Sequence, residues 1–506
     1  MSKAQGNNLD GNRSSKAASP RFTEHYELRI SSRMPTTACI RKANNMAIAN
    51  EASKTTGLLT SASPRLTVQG LLNQAPLGNR RRVIILLGFL TMTLEGVEIG
   101  LWGFIYPQIV TQWGTSLATV TTMVTLGVVG LTVGSMVAGP LSDQIGRRLP
   151  IIVGTAGFGL ATLGGALSQN DLSLGIFRVV ACLFLGAVMP LVITLVAEFA
   201  PEKRKAAIVA ITFTGFPLGT VITGFLASTI IPTLGWQWLL GTGTVLALIL
   251  LPALVWGLPE STVFMIRRGG RTENVTKVLG AIIPGFDMKT VDLTGAAPVG
   301  GAKPVGGVRA VLSRKLVVVS LLIWLCYFIC AAVVYMFLNY LPLIVKQLNI
   351  DAAGTGNVVS MFGLGGVIGA LAIGFAMEKL GKYVSLGAAF TLAAGAAWIL
   401  ASVNLTLPLL LVLGFTIGVV LVGANSGMNA LSTSVFPTEA RATGVSWMHS
   451  FGKAGSIVSG VLGGVMLGAG WGVDQIFFAL AIPLLAGAAA VAAVKAMTTR
   501  RSAAAA

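Results

Sequence analysis

From residue 83 to residue 494 the chain alternates long apolar runs with short polar connections. The runs span approximately 83–107, 117–139, 149–168, 174–199, 206–231, 237–257, 316–345, 355–377, 384–402, 405–435, 443–468 and 472–494. Each holds roughly twenty residues or more, enough to cross a hydrocarbon core about 30 Å thick at about 1.5 Å per residue. The pattern predicts an all-α membrane protein with twelve transmembrane helices. A polar stretch at 259–314, Gly/Pro-rich around 295–307, separates the sixth run from the seventh. Two six-helix halves are therefore expected, at 81–258 and 315–495, with a short C-terminal tail at 496–506. Residues 1–80 are rich in Ser, Asn, Lys and Arg and show no apolar period, which predicts a disordered basic tail. A start at Met34 or Met46 would leave the hydrophobic part of the chain intact.

Composition sharpens this picture. The chain is 54% hydrophobic and only 11% charged, against about 25% charged in soluble domains, and its mean hydropathy is +0.79. The 62 glycines suit close-packed membrane helices, which favour small residues at their contacts. A net charge of +18 raises the question of nucleic acid, but the cations lie in the tail and in alternate short connections, where they act as topology signals. Arg80, Arg81 and Arg82 precede the first run. Arg147 and Arg148, then Lys203, Arg204 and Lys205, the 259–314 stretch, Lys379 and Lys382, Arg441, and finally Lys495, Arg500 and Arg501 follow on the same side. The opposite connections are nearly free of cations, with Lys346 the main exception. Both termini are expected in the cytoplasm of a bacterial inner membrane. Cys39, Cys182, Cys326 and Cys330 form no metal or disulfide pattern.

The halves repeat. Gly139-Pro-Leu-Ser-Asp143-Gln-Ile-Gly146-Arg147-Arg148 returns at an offset of 235 residues as Gly374-Phe-Ala-Met-Glu378-Lys-Leu-Gly381-Lys382-Tyr383. Phe199-Ala-Pro201-Glu-Lys-Arg204 returns at nearly the same offset as Phe436-Pro437-Thr-Glu439-Ala-Arg441. Parallel repeats flanking a central site are a transporter design. Asp143, Arg147 and Arg148, with Glu378, Glu439 and Arg441, are read as gating residues. The 139–148 segment is expected to form a tight turn in which Asp143 caps a helix or pairs with an arginine of the other half. The plainer alternative is a topology signal with a turn.

Charged residues within the runs are functional candidates, because an unpaired charge in hydrocarbon costs several kcal/mol. Glu95 and Glu98 lie mid-run at i and i+3, on one face. Desolvation and mutual repulsion disfavour ionising both, which suits a proton-coupling pair. A structural ion pair between helices is the competing reading. Arg178 stays charged when buried. It either neutralises one of these carboxylates or receives an anionic substrate. Further substrate-binding candidates are Tyr327, Tyr335 and Asn339 in the seventh run, Asn425 and Asn429 in the tenth, and His449 and Lys453 in the eleventh. Each alone is as readily explained by helix packing.

The duplicated Gly-x-Leu-x-Asp-x-x-Gly-Arg-Arg loop with twelve runs resembles the major facilitator superfamily over residues 80–495. Within it, Leu94-Glu95-Gly96-Val97-Glu98 with Gly103-Phe-Ile-Tyr-Pro107 is similar to the first helix of the aromatic acid:proton symporters. So are Phe177-Arg178 with Gly186-Ala-Val-Met-Pro190, Glu198-Phe-Ala-Pro201, Leu258-Pro-Glu260-Ser261 and Phe436-Pro-Thr-Glu-Ala-Arg-Ala-Thr-Gly444. The resemblance implies proton-driven import of benzoate-like or hydroxybenzoate-like acids. The family's two aspartates are glutamates here, each one methylene longer. Its usual second-loop Asp and Arg are Glu378 and Lys382, and its common eleventh-helix Arg is Lys453.

The leading expectation is thus a monomeric, proton-coupled symporter of a small organic acid, working by alternating access in a lipid bilayer, with no cofactor, no metal and no nucleic-acid partner. Proton-coupled efflux of drugs or metabolites, and sugar import, are the transport alternatives. Sugar porters share Pro259-Glu-Ser261 but usually carry richer Gln/Asn faces in the second half. An enzyme is disfavoured, because His25 and His449 are the only histidines and no nucleophile–base pair is apparent. A sensor would bind ligand without accumulating it.

Overall fold

A computed structural model describes residues 66–67, 70, 72–73, 77–267, 272–282, 291–292, 311–313, 316–436 and 438–505. Of the tail expected over 1–80, residues 1–65 lie outside this set, as does the linker at 295–307. In the first half, α1 is Asn79–Gln112, α2 Leu117–Ile145, α3 Arg148–Ala166, α4 Asp171–Phe199, α5 Lys205–Phe213, α6 Gly215–Leu234 and α7 Trp236–Gly257. Two short helices follow, α8 (Thr262–Arg267) and α9 (Thr272–Ile282). The second half holds α10 (Val317–Lys346), α11 (Ala352–Leu380), α12 (Lys382–Ser402), α13 (Leu407–Val435), α14 (Thr438–Gly468) and α15 (Val473–Ala505). A two-residue parallel pairing of β1 (Leu66–Thr67) with β2 (Val291–Asp292) is the strand content of the described residues.

Among the described residues, twelve helical segments are long and apolar enough to cross a membrane, with α5 and α6 contributing to one of them. Large apolar side chains cover their outer faces. Trp256 is 82% exposed, Leu172 75% and Phe375 68%. In water such a surface would aggregate; against lipid it is solvated. The repeat seen in sequence is also a repeat of backbone. Ser116 and Asp351, 235 residues apart, cap the N-termini of α2 and α11, accepting from Thr119 N and Gly354 N. Gly146 and Gly381, at the same offset, both turn the chain at positive φ (+91° and +87°), a conformation that side-chain-bearing residues resist.

Three elements depart from the sequence expectations. The apolar run at 117–139 continues as helix to Ile145, so Asp143 sits on a helix and the turn narrows to Gly146 and Arg147. The run at 206–231 is broken at Thr214. Pro217 has no N–H to return to Phe213, which frees that carbonyl and interrupts the helix. The C-terminal tail expected at 496–506 continues α15 as far as Ala505.

The halves meet along α1 with α10, α6 with α11, and α2 with α14. α1 is buried without interruption from Thr91 to Pro107, and α10 from Met336 to Val345, as expected of helices that are apolar all round. Near the C-terminal ends of α1 and α10, Lys346 Nζ donates to Pro107 O (2.9 Å) and to the Thr111 hydroxyl. Ser360 Oγ of α11 donates to Val221 O of α6 (3.0 Å). There the backbones touch, since a Cβ on Gly224 would sit 2.4 Å from Gly356 O. At the opposite end, which carries the Arg147 and Lys382 loops, Asp143, Glu378 and Arg441 are exposed. No ion pair among the described residues links the halves there. The bundle is joined at one end and unlatched at the other. Gly356→Val should prevent closure of the joined end. A cysteine placed at Thr111 would then react faster with a membrane-impermeant maleimide than in the unmodified background, and an unchanged rate would mean that α6 and α11 tolerate separation there.

Candidate functional site

The centre of α1 carries both glutamates, each 2% exposed. Glu98 points into the first half, where its Oε2 accepts from the Thr162 hydroxyl of α3 (2.8 Å). Its Oε1 has no hydrogen-bond partner among the described residues. That oxygen occupies space left by Gly243 of α7, whose Cβ would lie 2.5 Å away. Glu95 faces the other half and interacts with Tyr335 of α10; its Oε2 is likewise unpartnered among the described residues. The two carboxylates thus have different neighbours, Thr162 and Gly243 for Glu98 and Tyr335 for Glu95. In a helix surrounded on all sides, a rotation of about 60° between two positions is enough to give each a different neighbour.

Arg178 of α4 is 2% exposed, and its guanidinium carbon lies 5.0 Å from the centre of the Trp102 ring. It interacts with Cys182, Tyr106 and Glu98. Among the described residues no salt bridge joins it to either glutamate, so the structural ion pair does not form. A guanidinium held over an aromatic face with no close carboxylate can accept an anion from outside the protein.

The candidates of the second half form two groups. Tyr327 is the hub of one: its hydroxyl lies 3.1 Å from His449 Nδ1, the rings meet edge to face, and Asn425 and Asn429 approach the same hydroxyl. Asn429 Nδ2 donates to Asn425 O (3.1 Å). Tyr335 belongs to the other and interacts with Glu95, Cys182, Tyr327 and Arg178, bridging to the first half. Asn339 Nδ2 donates to Tyr335 O (2.9 Å), and its Oδ1 is buried without a partner among the described residues. Lys453 Nζ donates to Ser135 Oγ of α2, so this cation ties the halves together. Trp324 stacks on Trp447 (5.6 Å) and Phe451 (5.1 Å) behind the group.

The gating set is organised differently from its sequence expectation. Asp143 is exposed and, among the described residues, makes neither the cap nor the cross-half ion pair. Glu260, after α7, supplies the cap: its Oε1 accepts from Arg147 N (2.8 Å), Arg148 N (3.3 Å) and Ser261 N (2.8 Å). Arg147 forms an ion pair with Glu198 of α4. Glu198 Oε2 accepts from Ser261 Oγ (2.6 Å), and Ser261 Oγ accepts from Phe264 N (3.1 Å). The Arg148 guanidinium donates to Val255 O. Gly146 makes this possible twice over, by its φ and because a Cβ there would fall 2.4 Å from Glu260 Oε2. In the second half the corresponding bond is neutral on one side, Lys382 Nζ donating to Ser434 Oγ (2.9 Å). The Glu439 side chain lies outside what is described.

Glu198, Glu260 and Ser261 were absent from the sequence-predicted set, although each stands in a motif quoted for the family resemblance. Losing the cap from one helix start costs about 0.5–2 kcal/mol. Glu260→Ala should therefore lower the Tm of the detergent-solubilised protein more than Asp143→Ala does; equal Tm values for the two would rule out this division of roles. Trp102 and Tyr106 were also missed, because aromatic residues in an apolar run read as packing. Their spacing from Glu98, at i+4 and i+8 on one stripe, was the available signal.

Residues 84–338 and 323–505 match the family described as Major Facilitator Superfamily. The chain is 34% identical to the 4-hydroxybenzoate transporter PcaK of Pseudomonas aeruginosa over 85% of its length and 96% of that protein. It is 31% identical to the gallate transporter of Pseudomonas putida, covering 85% and 95% of the two. It is 33% identical to the 4-hydroxybenzoate transporter PcaK of Acinetobacter baylyi, covering 84% and 93%. Among solved structures, that of a D-xylose-proton symporter superposes with a TM-score of 0.60 at 14% identity, over 81% of this chain and 97% of that one.

Proposed function

Because this chain belongs to the major facilitator superfamily, we propose that it imports small aromatic carboxylates, of the 4-hydroxybenzoate and gallate type, by proton symport across the bacterial inner membrane. The observation that carries the reading is Arg178: a buried guanidinium over an aromatic ring, with no carboxylate of the described residues in ion-pair range. The names of the relatives support the same substrate class. In the second half Tyr335 interacts with Arg178 and with Tyr327, whose group includes Asn425, Asn429 and His449; these offer ring surfaces and hydrogen-bonding groups for a hydroxylated aromatic body.

Glu95 and Glu98 bind the coupling proton. An ionised carboxylate without a counter-ion is costly in hydrocarbon, so each glutamate favours a proton until a change of access hydrates it. The loop cations support a cytoplasmic position for the unlatched end and both termini. In this assignment the conformation is the one open inward, with Lys346 and the α6–α11 contact closing the periplasmic side. Rebuilding cross-half contacts at the Arg147 and Lys382 loops would close the cytoplasmic side. The carrier acts as a monomer, with its site between its own two halves.

Uptake of labelled 4-hydroxybenzoate, gallate and benzoate into proteoliposomes tests the reading. An inward proton gradient should drive accumulation of at least one of them, and dissipating the gradient should stop it. Equal uptake with and without the gradient would leave a uniporter. No uptake of any acid would remove the aromatic-acid assignment and reinstate efflux.

A further inference from the structure

Three buried hydrogen-bond donors meet without partners on the inner face of the first half. Trp102 and Tyr106 stand one turn apart on α1, continuing the stripe that begins at Glu98. Trp102 is 1% exposed, Tyr106 0% and Arg178 2%. Trp102 Nε1, the Tyr106 hydroxyl and Arg178 Nε each lack a hydrogen-bond partner among the described residues. The Tyr106 hydroxyl lies beside the guanidinium, which can only donate to it, so the phenol's own hydrogen still finds no acceptor among the described residues. Indole and guanidinium can only donate, and the phenol has one hydrogen to give. Folded proteins rarely leave one such donor buried and unmade. Three together call for a visiting acceptor, and the guanidinium among them calls for a negative one.

The surroundings are shaped to keep this cluster in place. A Cβ on Gly127 of α2 would lie 3.1 Å from Arg178 Nε, and one on Gly165 of α3 would lie 2.9 Å from the Trp102 ring. Both neighbouring helices thus approach the donors with no side chain between. The acceptor must enter from the α10 side, where Tyr335 interacts with Arg178.

We propose that Trp102 and Tyr106 are substrate-binding residues, whose Nε1–H and O–H join Arg178 in holding the carboxylate of the transported acid. This rests on the aromatic-acid reading above. It has a consequence for coupling. Glu98 shares the neighbourhood of Arg178, so an ionised Glu98 and a bound carboxylate would put two negative charges on one cation. Seating the acid therefore favours a protonated Glu98, and proton and substrate are bound together.

The test is equilibrium binding of radiolabelled 4-hydroxybenzoate to the purified full chain, with competition by unlabelled acid and by neutral 4-hydroxybenzamide. Trp102→Phe and Tyr106→Phe keep the rings and remove one donor each. Each variant should weaken acid binding roughly tenfold, the scale of one charge-assisted hydrogen bond. The preference for acid over amide should fall as well, though by less, because a bond to the carboxylate is stronger than one to the amide's neutral carbonyl. General damage to the site would weaken both ligands alike and leave the ratio unchanged, which overturns the seat. Unmodified protein that binds no aromatic acid overturns the transport reading instead. If Trp102→Phe does not fold, Tyr106→Phe, which loses a single oxygen, carries the test. Gly127→Ala, which crowds Arg178 Nε, then serves as the second variant, with the same loss of preference expected and an unchanged preference counting against the proposal.

Discussion

Arg178→Gln should reduce uptake of 4-hydroxybenzoate by about a hundredfold or more, with the protein still monodisperse in detergent. The magnitude follows from what is removed. Leaving one member of a buried charge pair without the other costs about 3–5 kcal/mol, and each 1.4 kcal/mol is about tenfold in affinity. In the free protein Arg178 has no carboxylate of the described residues in ion-pair range, so the substitution breaks no ion pair among them. The loss should fall on the ligand. Arg178→Lys should recover only part of it, because an ammonium lacks the planar fork that can lie over Trp102 and still present donors sideways. Binding and transport measured on the same preparations decide the matter. Near-normal affinity in Arg178→Gln would move the carboxylate elsewhere, with Lys453 the next cation to examine.

Glu98→Gln should uncouple rather than inactivate. A proton gradient of one pH unit stores about 1.36 kcal/mol, enough to concentrate a substrate about tenfold if one proton accompanies each anion. The variant should equilibrate substrate, with an internal-to-external ratio near one, yet exchange internal for external substrate at a rate close to the unmodified protein. Glutamine preserves an acceptor for Thr162 and fills the space beside Gly243, so the local packing survives. Full gradient-driven accumulation in Glu98→Gln, together with its loss in Glu95→Gln, would transfer the coupling role to the carboxylate facing Tyr335.

The architecture was legible because hydrocarbon permits few backbone solutions: a run of twenty apolar residues in a membrane is a helix, and the cation pattern sorts the connections. Arg178 and the glutamates were legible for the same reason, since charge inside such a run is rarely accidental. What sequence alone misjudged depended on neighbours. Asp143 and Glu260 are both acids beside helix ends, and only the packing of the segment after α7 against the Gly146 turn makes Glu260 the cap. Glu95 and Glu98 differ in partner because α3 and α7 lie on one side of α1 and α10 on another. Trp102 and Tyr106 are indistinguishable from core aromatics until the cation above them and their missing partners are seen. The family match makes the chain a transporter rather than an enzyme, whereas the seat proposed for Trp102 and Tyr106 was reached through geometry.

The break between α5 and α6 bears on how the halves exchange places. α6 is fastened lengthwise to α11 of the other half, through Ser360 and the touching glycines, while α5 packs mainly within its own half on α1 and α4 and touches α11 only lightly. A continuous rod would transmit every tilt of one end to the other, and rocking would have to tear the α6–α11 seam along its length. In the alternating-access cycle proposed above, Pro217, interrupting the rod at Thr214, would let the segment work as a crank with a soft elbow. Torque from the loop end would be absorbed as bending at the elbow, the seam would open from one end like a zipper, and the work of each cycle would be spread over successive contacts instead of being demanded at once.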